Sequence, residues 1–138
     1  MPKKAYVVNA NELPKQSRYG GMFEETAVVM DHALIKFAWA KAQGGEMTGR
    51  NAPAGEPDVH PWDQAIIMIK GRVEVTLGED GCEGTYELGP GHIVYIPGNM
   101  PHMGRPLGDE DCFGVDIFAP VREDYLDMAQ HQLEREDD

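Results

Sequence analysis

Asp58-Val59-His60-Pro61-Trp62-Asp63-Gln64, running on through an apolar stretch at 65–70 to Gly71, is one of the two segments that decide the fold. The other is Gly91-His92-Ile93-Val94-Tyr95-Ile96-Pro97-Gly98-Asn99-Met100-Pro101-His102. Side chains two apart on a strand share a face, so Asp58 and His60 can reach one ion together. His102 would approach the same point from a different strand. Gly71 interrupts a nearly continuous apolar segment, 65–70 and then 72–77, where a bulge or bend fits.

Outward from these segments, Pro and Gly punctuate short β-rich runs. Ile35, Phe37 and Trp39 alternate with Lys36, Ala38 and Ala40 as in a half-buried strand. A polar loop with four glycines and two prolines spans 43–57. Gly78-Glu79-Asp80-Gly81 supplies hairpin chemistry before a strand at 85–88, and Gly89-Pro90-Gly91 makes a second turn into a strand at 92–96. A last strand is expected at 112–119. Many short strands at regular spacing predict a sandwich or barrel. The helical signal is confined to 122–135, weakly periodic through Tyr125, Met128 and Leu133.

The 138 residues suffice for a single domain at 1–138, with the barrel at about 28–120 and an acidic helix or tail at 121–138. Twelve basic residues against 24 acidic ones give a net charge of −12, which argues against nucleic acid or an anionic membrane as partner. Seven of the acids lie in 123–138, which reads as a solvated end. The first residues lack the apolar core of a signal peptide, and no apolar run approaches membrane-spanning length. Two cysteines, Cys82 and Cys112, are expected as free thiols in a reducing cytoplasm, Cys112 as a small core residue.

The two opening segments resemble the paired motifs of the cupin family. The first family motif is Gly, five residues, His-x-His, three or four residues, Glu, six residues, Gly. Counting back from Gly71 sets Gln64 at the Glu position, His60 at the second His and Asp58 at the first. The second is Gly, five residues, Pro-x-Gly, two residues, His, three residues, Asn. Counting on from Gly91 sets Pro97, Asn99 in place of Gly, His102 in register, and Pro106 at the final Asn. The resemblance implies an all-β fold: a double-stranded β-helix, or antiparallel jelly-roll barrel, with a short C-terminal helix. It also implies one divalent metal held by Asp58, His60, Gln64 and His102, and a homodimer. Two imidazoles, one carboxylate and one amide oxygen suit Zn²⁺, Fe²⁺, Mn²⁺ or Ni²⁺ without choosing among them. Glu56 is a substitute ligand for Asp58. His32 and His131 belong to no motif and read as surface residues, and His92 reads as structural.

Near the end of the chain, Asp116 and Phe118 share one strand face while Val115 and Ile117 share the other. An aspartate on the barrel side of a strand is costly unless it is bonded, by Arg105 or Arg122 for example, which makes it a candidate functional group. The stretch Asp116-Ile117-Phe118-Ala119-Pro120-Val121-Arg122-Glu123-Asp124 resembles the Asp-x-Phe-Ser-Pro-Pro-Arg-Glu-Asp segment of the pectin-degradation cupins (the KdgF family), which linearise unsaturated uronates and also carry Gln at the Glu position. That resemblance implies Asp116 as general acid or base, Arg122 holding a carboxylate, and Phe118 packing against the substrate ring, with Trp62 at the mouth. The implied reaction is a metal-dependent, non-redox ring opening with keto–enol tautomerisation of a small cyclic substrate. Trp39 and Trp62 suggest a more apolar mouth, which suits a cupin of the polyketide-cyclase type acting on an aromatic substrate. An Fe²⁺ dioxygenase and a non-catalytic ligand-binding barrel are the remaining alternatives.

Overall fold

The apolar run at 65–70 and the strand expected at 112–119 fall in the middle of a sheet, each pairing with a strand on either side. The structure, a computed structural model, describes residues 2–18, 20–42, 57–108 and 110–137. The strands are β1 (Gln16–Arg18), β2 (Phe23–Val29), β3 (Leu34–Ala40), β4 (Asp63–Lys70), β5 (Val73–Leu77), β6 (Gly84–Leu88), β7 (Ile93–Ile96), β8 (His102–Pro106) and β9 (Cys112–Ala119). They form a six-stranded sheet in the order β1-β2-β3-β9-β4-β7 and a three-stranded sheet in the order β6-β5-β8. Every pairing is antiparallel. This is the jelly-roll double-stranded β-helix, and its strands begin earlier than the expected start at 28.

Gly71 does what its position in the run suggested. It sits at φ 79°, and a Cβ there would collide with the Asp111 carbonyl and with Cys112. The β4–β9 register shifts between Met68 and Lys70, just before it, so the strand bends as it leaves the large sheet for β5 in the small one.

Strand β3 alternates as a half-buried strand should, but its fully buried face is Leu34, Lys36, Ala38 and Ala40. Ile35, Phe37 and Trp39 lie half-buried on the outside of the sheet, where Trp39 and Phe37 both stack on Phe113. The small inner side chains leave room. A cavity of about 550 Å³ opens between the two sheets, bordered by Ala38, Gly114, Val75 and Gly104 among others. Apolar packing is displaced to two clusters. One joins Met68, Val73, Val75, Leu77, Leu88, Ile96 and Cys112. The other joins Ala27, Val29, Leu34, Phe118, Tyr125, Met128 and Ala129. Each large side chain buried there contributes about 1.5–3 kcal/mol.

The C-terminal segment departs from the expected solvated helix or tail. It consists of 3₁₀ turns at Glu123–Ala129 and Glu134–Asp137 around a single α-helical turn, α1 (Gln130–Leu133). Tyr125, Met128, Ala129 and Gln132 are buried. Gln132 closes a two-way contact with β2, accepting from Val29 N at 2.7 Å and donating to Val29 O at 2.9 Å. His131, expected as a surface residue, is half-buried: its Nε2–H donates to Ala27 O and its Nδ1 accepts from the Tyr6 hydroxyl, both at 2.7 Å. Acidic residues dominate the composition here, but the apolar side chains three or four apart choose the packing. His32 is exposed. His92 is also exposed and accepts from Gly89 N at 2.9 Å, a turn contact. Cys82 is exposed and Cys112 buried, and the two do not form a disulfide. The expected loop at 43–57, apart from Pro57, and the substitute ligand Glu56 lie outside the described residues. Among the described residues, no helix is long and apolar enough to cross a membrane.

Candidate metal centre and cavity

The 97–100 turn brings the two motifs together. Asn99 occupies φ 68°, the left-handed region in which Asn is tolerated better than most non-glycine residues, and so does the work of the family glycine. Its N–H donates to His60 O at 2.7 Å, and Gly98 N donates to Asp63 Oδ1 at 2.9 Å. A Cβ on Gly98 would collide with the Pro61 carbonyl. Asp58 then faces His102 across an isolated antiparallel bridge, with N···O distances of 2.8 and 3.0 Å. Asp58 and His60 thus converge from an extended lead-in to β4 and not from within a strand.

Asp58, His60 and His102 present ligand atoms that all lie within 4.8 Å of one another. Asp58 Oδ2 is 3.9 Å from His60 Nε2 and 3.8 Å from His102 Nε2. Each imidazole is oriented by its other nitrogen: His60 Nδ1–H donates to Trp62 O and His102 Nδ1–H to Met100 O, both at 3.0 Å. Those bonds turn both Nε2 lone pairs toward the centre, the usual arrangement for ligating histidine. Burial foremost lowers the His102 pKa, with His60 and Arg122 adding to the effect against the Met100 carbonyl and Asp58. His102 is therefore neutral and able to ligate at neutral pH.

Gln64 completes the set. Its Nε2 donates to Asp116 Oδ1 at 3.4 Å, which leaves Oε1 facing His60 Nε2 at 3.0 Å. With Nδ1–H directed at Trp62 O, both Nε2 and Oε1 offer lone pairs, and a donor set of two imidazoles, a carboxylate and an amide oxygen fits a divalent metal.

Asp116 is 8% exposed and lies on the cavity wall, and its partner is neither Arg105 nor Arg122. Arg105 pairs with Glu74. Lys36 Nζ lies 3.2 Å from Asp116 Oδ2 and 2.7 Å from Glu25 Oε2. Glu25 and Lys36 are 1% and 5% exposed and line the same cavity. Neither was singled out from the sequence, where they look like ordinary strand charges. The small neighbours Ala38 and Ala40 were the available signal that this face borders open space.

Arg122 lines the cavity near the donor set, with Nη1 3.7 Å from Asp58 Oδ2. It also makes the helix-start pair with Asp124, through Nε at 2.9 Å and Nη2 at 3.3 Å. Its guanidinium carbon sits 3.7 Å from the centre of Tyr125 and 4.9 Å from that of Phe118. Burial works against its charge, but Asp124, Tyr125 and Asp58 together raise its pKa. Phe118 belongs both to the core and to the cavity wall. Trp62 packs against His60 at 5.7 Å and is not among the cavity-lining residues.

No curated protein matches the sequence. Among solved structures, KdgF from Halomonas sp. superposes with a TM-score of 0.65 at 21% identity, over 84% of this chain and 95% of that one. An RmlC-like cupin from Shewanella frigidimarina gives 0.68 at 17% identity, over 91% and 99%. The polyketide cyclase RemF from Streptomyces resistomycificus gives 0.65 at 18% identity, over 84% and 80%. At these identities the likeness is one of fold. The family described as "Cupin domain" matches residues 47–118. That span runs through both motifs and ends on Phe118 in β9, and with it the chain belongs to the cupin family.

Proposed function

We propose that the chain is a metal-dependent enzyme that opens and tautomerises a small cyclic carboxylate, of the unsaturated-uronate class, without redox change. The observation that carries this reading is the hydrogen bond from Gln64, whose Oε1 stands beside His60 Nε2, to the buried acid Asp116. Asp58, His60, Gln64 and His102 would hold the metal, which when bound polarises substrate oxygens and lowers the barrier to proton transfer. Arg122 holds the substrate carboxylate through its fork of donors. Asp116, paired with Lys36, takes a proton from the substrate and returns it to the neighbouring carbon or oxygen as the ring opens. Phe118 supports one face of the ring, and Trp62 shields His60 from outside.

The test is nuclear magnetic resonance of an unsaturated uronate monomer mixed with metal-loaded protein. Loss of the ring vinyl signal with formation of an open-chain keto acid is expected for wild type, and neither change for His102→Ala. Metal analysis of the same samples is expected to show near-stoichiometric metal in wild type. In His102→Ala, affinity is expected to fall by more than the about 10- to 100-fold typical of an outer-shell change. An unreactive uronate with metal in place would overturn the reaction.

A second reading is favoured by the apolar part of the cavity, where Met22, Phe23, Ile66, Met68 and Val73 line the wall. Those residues suit an aromatic substrate of the polyketide-cyclase kind. We also infer a homodimer working in a reducing cytoplasm, in keeping with common symmetry and with Cys82 and Cys112 as thiols not joined in a disulfide.

A further inference from the structure

Glu25 is 1% exposed and lines the cavity, yet it is poorly satisfied. Oε2 lies 2.7 Å from Lys36 Nζ, but neither carboxylate oxygen has a hydrogen bond of good geometry among the described residues. Arg18 Nε stands 4.0 Å from Oε1 and is itself engaged with Asp127. Lys36 is shared with Asp116, so one ammonium serves two buried carboxylates. A buried acceptor left in this state carries a desolvation cost that an apolar residue would avoid. A purely structural role is therefore a poor account of Glu25.

We propose that Glu25 is a specificity-determining residue of the substrate site, whose carboxylate accepts a hydrogen bond from a ring hydroxyl of a carboxylate-bearing sugar. The inference rests on the uronate reading above and deepens it. Lys36 touches both Glu25 and Asp116, so the hydroxyl is held one ammonium away from the acid that moves the proton. A hydroxyl can donate to Glu25, whereas an aromatic or deoxygenated ring cannot. The same residue therefore discriminates between the two substrate classes: an apolar ring leaves Glu25 with the shared Lys36 ammonium alone, and a hydroxylated ring supplies a further donor. Burial raises the Glu25 pKa, with Lys36 opposing, as expected for a carboxyl that lacks the donors water would offer.

The experiment is isothermal titration of the metal-loaded full chain with D-galacturonate, a saturated ring that binds without vinyl chemistry. Cyclohexanecarboxylate, of the same charge but without hydroxyls, is the control. Wild type is expected to bind galacturonate about 10-fold or more tightly than the control, and Glu25→Leu is expected to lose that preference while keeping its affinity for the control. Equal affinity for the two ligands in wild type, no galacturonate binding, or an unchanged preference in Glu25→Leu each overturns the proposal. Should Glu25→Leu fail to fold by circular dichroism, the wild-type pair of ligands decides alone. Galacturonate preference lost in Glu25→Leu, with no turnover of the unsaturated sugar by wild type, keeps this inference and removes the ring-opening reaction. Turnover with the preference intact in Glu25→Leu does the reverse.

Discussion

The inner face of the six-stranded sheet mixes buried charge with the apolar core residues Ala27, Val29, Leu34 and Phe118, whereas its outer face is apolar and half-buried. Its inner face carries Glu25, Lys36, Gln64 and Asp116, all less than one-tenth exposed. Its outer face carries Ile35, Phe37, Trp39, Val115 and Ile117, all half-buried. A sheet face usually buries apolar groups because that is where stability comes from. Here part of the inner face of β2, β3, β4 and β9 borders the cavity with charged and amide side chains, and the clusters around Ile96 and around Phe118 carry the stability. The cost of the inner charges is the reason to read them as functional.

The sharpest way to test this contrast is to change adjacent residues on β9. Asp116→Asn is expected to lower turnover of the uronate by about 10²- to 10⁴-fold while metal content stays unchanged. Val115→Ala, one residue away on the outer face, is expected to leave turnover close to wild type. Equal losses from the two would show that the inner face has no special role. A smaller effect is expected from the second cluster, which takes over the stability that the cavity gives up. Met128→Ala is expected to destabilise by about 2–5 kcal/mol in urea unfolding, the range for a buried large-to-small change. Solvated-tail behaviour, with no measurable loss, would break that part of the comparison.

The smallest effect concerns Glu25 and pH. Burial raises its folded pKa above the ordinary value, so its contribution to stability is fully present below the ordinary Glu range and is lost as pH rises through the raised value. Glu25→Gln keeps the shape without the charge. Its thermal midpoint is expected to exceed that of wild type at mildly alkaline pH and to converge with it in acid. A difference independent of pH, or one growing toward acid, would show that Lys36 fully compensates the buried charge.

Much of the candidate metal centre was legible because its residues are anchored to glycines and prolines with special backbone demands. Gly71, Gly91 and Pro97 fix the count that leads to His60, Gln64 and His102, and strand periodicity placed β9 without error at its ends. The charged wall was not legible for a physical reason. Alternation along β3 shows which residues share a face, but not which face looks inward, and a lysine among apolar residues reads as the wet side. The C-terminal segment was hidden by composition: its acids outnumber the few side chains, Tyr125, Met128 and Ala129, that dock it. The partner of Asp116 was also beyond reach, because Lys36 lies in a strand far away in the sequence and next to it only in the sheet.

The Gln64–Asp116 hydrogen bond ties the histories of two positions together. A glutamate at 64, the usual cupin residue, would set a second carboxylate against Asp116 Oδ1, where the amide nitrogen now stands at 3.4 Å. Either a proton would have to be trapped between the two acids, or one of them would have to leave. One amide group thus couples positions 64 and 116, and a substitution at either is expected to be felt at the other.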